Sequence, residues 1–128
     1  MVITEATEVW RAILDAMPGA VAKSTTASRG SEPLVMIYKI MGKMFAILSL
    51  RGQPFVILKC DPFRAELLHE SYQGIGHTSH LDRRFWISVD LNADVPNDEI
   101  RELIGHSWDQ VCAGFTRRQR EELASLEV

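Results

Sequence analysis

Apolar residues fall at Ile3, Ala6, Val9, Trp10, Ile13, Leu14 and Met17, a three-to-four spacing that predicts one amphipathic helix. Thr4 is a suitable N-cap, Glu5 and Glu8 suit the positive end of the helix dipole, and Pro18-Gly19 ends the segment. Residues 20–33 are rich in Ser, Thr, Ala and Gly and read as a connector. The period then changes to two. Leu34–Ile40, Lys43–Leu50 and Pro54–Lys59 read as strands, joined by turns at Met41-Gly42 and Gly52-Gln53 into an antiparallel meander. In the second of these strands, alternation places Met44, Ala46, Leu48 and Leu50 on one face and Lys43, Phe45, Ile47 and Ser49 on the other.

Asp61-Pro62 is a helix start: the aspartate caps, and proline occupies the first turn, where no donor is needed. That helix runs to about Glu70 and buries some of Phe63, Ala65, Leu67 and Leu68. A loop over 71–84 leads to a strand at Phe85–Asp90, which Leu91–Val95 extends or turns over. Pro96 opens a regular helix with Ile100, Leu103, Ile104, Trp108, Val111 and Phe115 on one stripe, ended by Gly114. Thr116 and Gln119 form a capping box for a last helix to about Leu126. The order α-β-β-β-α-β-(β)-α-α predicts an α+β fold, a two-layer sandwich of an antiparallel sheet with helices on one face, as a single domain over 1–128. Trp10 and Trp108 are the expected large core residues.

Composition is that of an ordinary globular protein, 46% hydrophobic and 24% charged over 128 residues. No apolar run approaches the ~20 residues of a membrane-spanning helix, and the start lacks a basic and apolar leader. Cys60 and Cys112 show no paired spacing. These features suggest a cytoplasmic protein with reduced, buried thiols. Net charge is −3, yet Val21 to Arg64 carries seven basic residues against two acidic ones. Local charge decides which polyanion approaches, so the basic middle third changes the picture.

Candidate chemistry follows from that third. Lys39 and Lys43 flank the Met41-Gly42 turn, where a hairpin tip can reach a phosphate backbone. Exposed edges also carry lysine simply to prevent edge-to-edge pairing. Arg83-Arg84-Phe85-Trp86 sets two guanidinium groups beside two rings, a combination that suits single-stranded nucleic acid or an internal cation–π contact. His77, His80 and Asp82 fall short of a four-ligand shell, with His69 and His106 elsewhere in the chain, so no metal is expected. Cys60 lacks an orienting partner for nucleophilic catalysis. Glu5, Glu8 and Asp15 are an ordinary solvated face, and Gly74-Ile75-Gly76 is too little for a phosphate loop. No catalytic residue and no cofactor is expected.

Four stretches resemble the MmcQ/YjbR-like family in its order: Tyr38 to Ser49, Leu58 to Pro62, His80 to Leu91, and Val95-Pro96 followed by Glu102-Leu103-Ile104 and Ser107-Trp108. Phe85 departs from the basic or histidine residue that often precedes the tryptophan. The resemblance implies a compact α/β fold of the kind seen in frataxin-like proteins and secretion chaperones. It also implies DNA binding through wing-like elements beside the sheet. The expectation is a non-enzymatic DNA-binding or regulatory domain with weak, little-discriminating contacts through Lys39, Lys43, Lys59, Arg83, Arg84 and Trp86. The alternative is a protein-interaction module using the sheet face or the 71–84 loop.

Overall fold

The structure, a computed structural model, describes residues 5–26, 33–49, 54–77 and 81–126. Helix α1 (Glu5–Asp15) ends before Pro18-Gly19, and Gly19 takes a positive φ of 73° that favours glycine. Thr4, the expected cap, lies outside the described residues, as does the Gly52-Gln53 turn. The expected connector is corrected in its first half: Ala20–Thr26 form strand β1, and 27–32 lie outside the described residues. A polar stretch suits this place because an edge strand needs one paired neighbour and little apolar surface. Val21 and Thr25 are also good strand formers.

Strands β2 (Pro33–Ile40), β3 (Lys43–Ser49) and β4 (Phe55–Lys59) follow as the expected meander. Met41 (φ 47°) and Gly42 (φ 83°) both take the left-handed conformation that a tight two-residue hairpin turn requires. Helix α2 (Pro62–Ser71) leads to β5 (Ile75–Gly76) and β6 (Trp86–Asp90), then α3 (Asn97–Ala113) and α4 (Arg117–Leu126). The optional strand at 91–95 is a turn instead, and the extra strand is β5, only two residues long. All pairings are antiparallel, in the order β1-β2-β3-β4-β6-β5. This is the α+β architecture expected.

Local signals act where they stand. Asp61 Oδ2 accepts the Arg64 N–H at 3.1 Å and caps α2. Thr116 and Gln119 close a reciprocal box, Thr116 N–H to Gln119 Oε1 at 2.9 Å and Gln119 N–H to Thr116 Oγ at 3.2 Å. Of the apolar residues of α2, Ala65 and Leu68 are buried, while Phe63 and Leu67 are exposed.

One face of the sheet is the core face. Tyr38, Ala46, Leu58 and Ile87 lie in successive register on it, as do Met36, Leu48, Val56 and Val89, all buried. Trp10 and Leu14 of α1 and Ile100, Leu103, Ile104 and Val111 of α3 join the same cluster. Strict alternation in β3 is broken. Tyr38 pairs with Ala46 but Lys39 with Met44, so Phe45 is an extra residue, and Phe45 and Ala46 are both fully buried. Next to this bulge the β3–β4 ladder opens. Ser107 of α3, with no exposed surface, fills the gap: its hydroxyl donates to the Phe45 carbonyl and accepts the Lys59 N–H at 2.8 Å.

Trp108 is corrected from core to half-buried: it packs against the cluster while its indole N–H donates to the Pro18 carbonyl at 2.9 Å. An indole at the rim finds a polar partner that the core interior does not offer. Cys112 is likewise half-buried, and Cys60 is buried; among the described residues neither forms a disulfide. Burial pushes the Cys60 thiol up to about 11, which keeps it protonated and a poor nucleophile.

His106 of α3 accepts the Asp61 N–H on Nε2 at 3.1 Å, tying α3 to the start of α2. Burial, then the Arg64 charge, hold this imidazole below the usual histidine range, with Asp61 and Asp109 opposing. The neutral ring is the one that accepts. A folded value below the unfolded value of about 6.5 means that this stabilisation is complete above it and is lost as pH falls through the folded value. Replacing His106 with Gln, which keeps an acceptor without titrating, is expected to flatten the fall in urea midpoint between about pH 7 and 5. Identical pH profiles for the two proteins would show that His106 contributes nothing to it.

Candidate functional site

The six residues expected to contact nucleic acid all lie toward one end of the sheet: near the end of β2 (Lys39), the start of β3 (Lys43), the end of β4 (Lys59), the start of β6 (Trp86) and the turn before it (Arg83, Arg84). They do not form one patch. Lys59 stands directly opposite Trp86 in the β4–β6 register. With Lys43 and Met44 these two line a groove of about 340 Å³, whose apolar wall is Val111 and Phe115 near the end of α3. Trp86 is half-buried, so part of its ring stays available. Lys39 is exposed on the face of the sheet away from the helices, paired across to Met44.

That face carries Lys23, Ile37, Ile47, Ile57 and Ser88 in one row and Phe55 and Asp90 in the next. Ile37, Ile47 and Phe55 are only half-buried there. It is a mostly apolar surface with lysines set into it.

Arg83 and Arg84 belong to a different place. Asp82 takes the guanidinium of Arg84 on both oxygens, at 3.2 and 2.9 Å, and the same group lies 5.2 Å from the centre of the Phe85 ring. The cation–π contact read from the sequence is thus internal. Hydrogen bonds from Arg84 hold the Asp82 carboxyl below the usual carboxylate range. Both arginines line a second cavity, of about 250 Å³, with Pro62, Glu66, His69 and His77. The histidine grouping is corrected here. The sequence set His77 beside His80 and apart from His69, whereas the structure brings the His69 and His77 rings together, tilted by 42° with centres 4.1 Å apart. His80 lies outside the described residues. The eight-residue separation hides this contact, because it depends on the reversal of the chain between α2 and β5. Among the described residues no group of three or more His, Cys, Asp and Glu is placed to hold a metal ion.

The described residues define a class: a small α+β domain with an open antiparallel six-stranded sheet and four helices. The chain belongs to the YjbR family, whose model matches residues 15–110. Protein YbdF of Escherichia coli O157:H7 is 35% identical over 88 residues, 68% of this chain and 72% of that one. Protein YjbR of Escherichia coli K12 is 28% identical over 89 residues, 69% and 75% of the two chains. A crystal structure of Deinococcus radiodurans protein DR2400, a DUF419 domain, superposes with a TM-score of 0.77 at 26% identity, covering 96% of this chain and 92% of that one. A structure from Pseudomonas syringae has a TM-score of 0.65 at 18% identity, covering 80% and 96%, and shares the fold. No helix among the described residues is long and apolar enough to cross a membrane.

Proposed function

We propose that this chain is a non-enzymatic binding domain that holds nucleic acid, in single-stranded form, at the lysine-bearing end of its open sheet. The observation that carries this reading is the pairing of Lys59 with Trp86 across β4 and β6, with Lys39 and Lys43 at the same end. A half-exposed indole offers a face for a base, and flanking ammonium groups neutralise the adjoining phosphates. Such contacts read no sequence, because phosphates carry no base information. The carbonyl end of α3 lies near Lys43 and Lys59, and its partial negative charge competes for the same ammonium groups, which keeps binding weak.

Fluorescence anisotropy with labelled oligothymidylate, across a salt series, tests this. Lys43 and Lys59, which share the groove with Trp86, give a log–log salt slope of about −1.4 on a single strand, at about 0.7 per phosphate. Lys59→Ala is expected to reduce the slope by about 0.7 with stability unchanged. Trp86→Leu is expected to cost about 1–3 kcal/mol of binding with the slope intact. No binding at low ionic strength to either single or double strands rejects the proposal. A protein partner on the open face would then be the better reading, favoured by the half-exposed Ile37, Ile47 and Phe55, and Lys59→Ala should weaken its capture instead.

A further inference from the structure

We propose that copies of this chain associate head to tail, with helix α2 of one copy laid across the outward face of strands β1–β3 of the next. This goes beyond the nucleic-acid reading, with which it shares only Lys39. Two exposed surfaces carry it. On α2, Phe63 is 72% exposed and Leu67 is 51% exposed, and Glu66 and Glu70 are exposed beside them. Their spacing of three and four residues puts all four on one face of the helix. Scattered single apolar residues are ordinary on a surface, whereas two on adjoining turns at these exposures make a patch. Arg64 of the same helix is paired with Glu99 at 3.8 Å, and neither Glu66 nor Glu70 makes an ion pair among the described residues. Arg83 and Arg84 line a cavity with Glu66, but Arg84 is held by Asp82, so the patch keeps a net negative charge.

The outward face of β1–β3 is the complement of that patch. The register sets Val21 beside Lys39, Lys23 beside Ile37, and Ile37 beside Ile47, on the side of the sheet away from the core cluster. Val21 is 66% exposed, Lys23 and Lys39 are exposed, and Ile37 and Ile47 are half-buried. The three strands hold no acidic residue, and neither lysine makes an ion pair among the described residues. Size agrees as well. Three strands about 4.8 Å apart make a strip about 10 Å wide, the diameter of a helix, and the ten residues of α2 span about 15 Å along it. Phe63 and Leu67 then rest on Ile37 and Ile47, and Glu66 and Glu70 reach Lys23 and Lys39. Within one chain α2 cannot do this, because Ala65 and Leu68 seat it in the core on the opposite side of the sheet. Each copy therefore offers one helix and one strip, a heterologous contact that extends from copy to copy. A contact of this size belongs among weak ones, with a Kd on the order of 0.1 mM.

Sedimentation velocity of the full chain without nucleic acid, from about 10 µM to about 1 mM, reads the association. The average mass is expected to rise through that range and to pass that of a dimer at its top. Each surface is then blocked separately at exposed positions, which leaves the fold intact: Phe63→Ser on the helix, and Lys23→Glu with Lys39→Glu on the strip. Either variant alone is expected to stay monomeric. Mixed in equal amounts, the intact helix of the second docks on the intact strip of the first, so the mixture should form a dimer and stop there. Adding Glu66→Lys and Glu70→Lys to the lysine variant reverses all four charges and should restore the association of the parent. A parent that stays monomeric to about 1 mM overturns the proposal. If that monomer binds phosphatidylserine vesicles and the lysine variant does not, the strip faces lipid instead. Association of Phe63→Ser at the level of the parent, with the lysine variant monomeric, also overturns it, because strip would then meet strip. A mixture that stays monomeric, or that grows past the dimer, does the same.

Discussion

Replacing Trp10 with Ala is expected to destabilise the fold by about 3–5 kcal/mol, the range for truncating a large buried aromatic side chain. Trp10 is only 4% exposed and lies with Leu14 in the cluster beneath the sheet. Its removal takes a large apolar surface out of burial and leaves a void that neighbouring side chains fill only in part. Trp108→Ala is the matched comparison. Its ring is half-buried and its indole N–H bonds at the rim, so it should cost less than Trp10→Ala. Urea denaturation of both variants measures the difference. Equal losses, or a loss below about 1 kcal/mol for Trp10→Ala, would mean that α1 is not seated as described.

The second large effect comes from a single hydroxyl. Ser107→Ala is expected to cost about 2–4 kcal/mol, although it removes only one oxygen. Both the Phe45 carbonyl and the Lys59 N–H lose their partner at once, and an orphaned buried group costs about 1–3 kcal/mol. Amide exchange adds a local readout: the Lys59 N–H should lose protection by more than the global change explains. If stability and Lys59 protection both stay at the parent values, the hydroxyl is not the bridge between β3 and β4.

Features set by neighbouring residues were legible in the sequence. The Asp61 cap, the Thr116–Gln119 box and the Met41-Gly42 hairpin each depend on residues within one turn of each other, and the structure realises all three. Strand β1 was not legible, because its residues bury little and its identity comes from the hydrogen bonds that β2 offers. The Phe45 bulge was hidden for a related reason: its partner, Ser107, arrives on α3 from far along the chain. The candidate site divides in the same way. That Lys39 and Lys43 sit at a hairpin tip could be read directly, since the turn fixes them. That Lys59 shares a groove with Trp86 while Arg83 and Arg84 turn toward His69 and His77 could not, since strand register and loop direction decide it.

The neighbour-to-neighbour order of β1, β2, β3 and β4 also has a consequence for the chain as it is synthesised. The meander is complete once Lys59 has been made, whereas α3, which covers β3 and β4, begins only at Asn97. At translation rates of about 5–20 residues per second, the part of the core face that α3 later covers stands bare for on the order of a few seconds. During that interval Leu48 and Leu58 face water, and the β3–β4 ladder lacks the hydroxyl that later bridges it. The nascent chain is therefore most exposed to aggregation and to chaperone capture after β4 and before α3, and a ribosome stalled in that window holds its most vulnerable form.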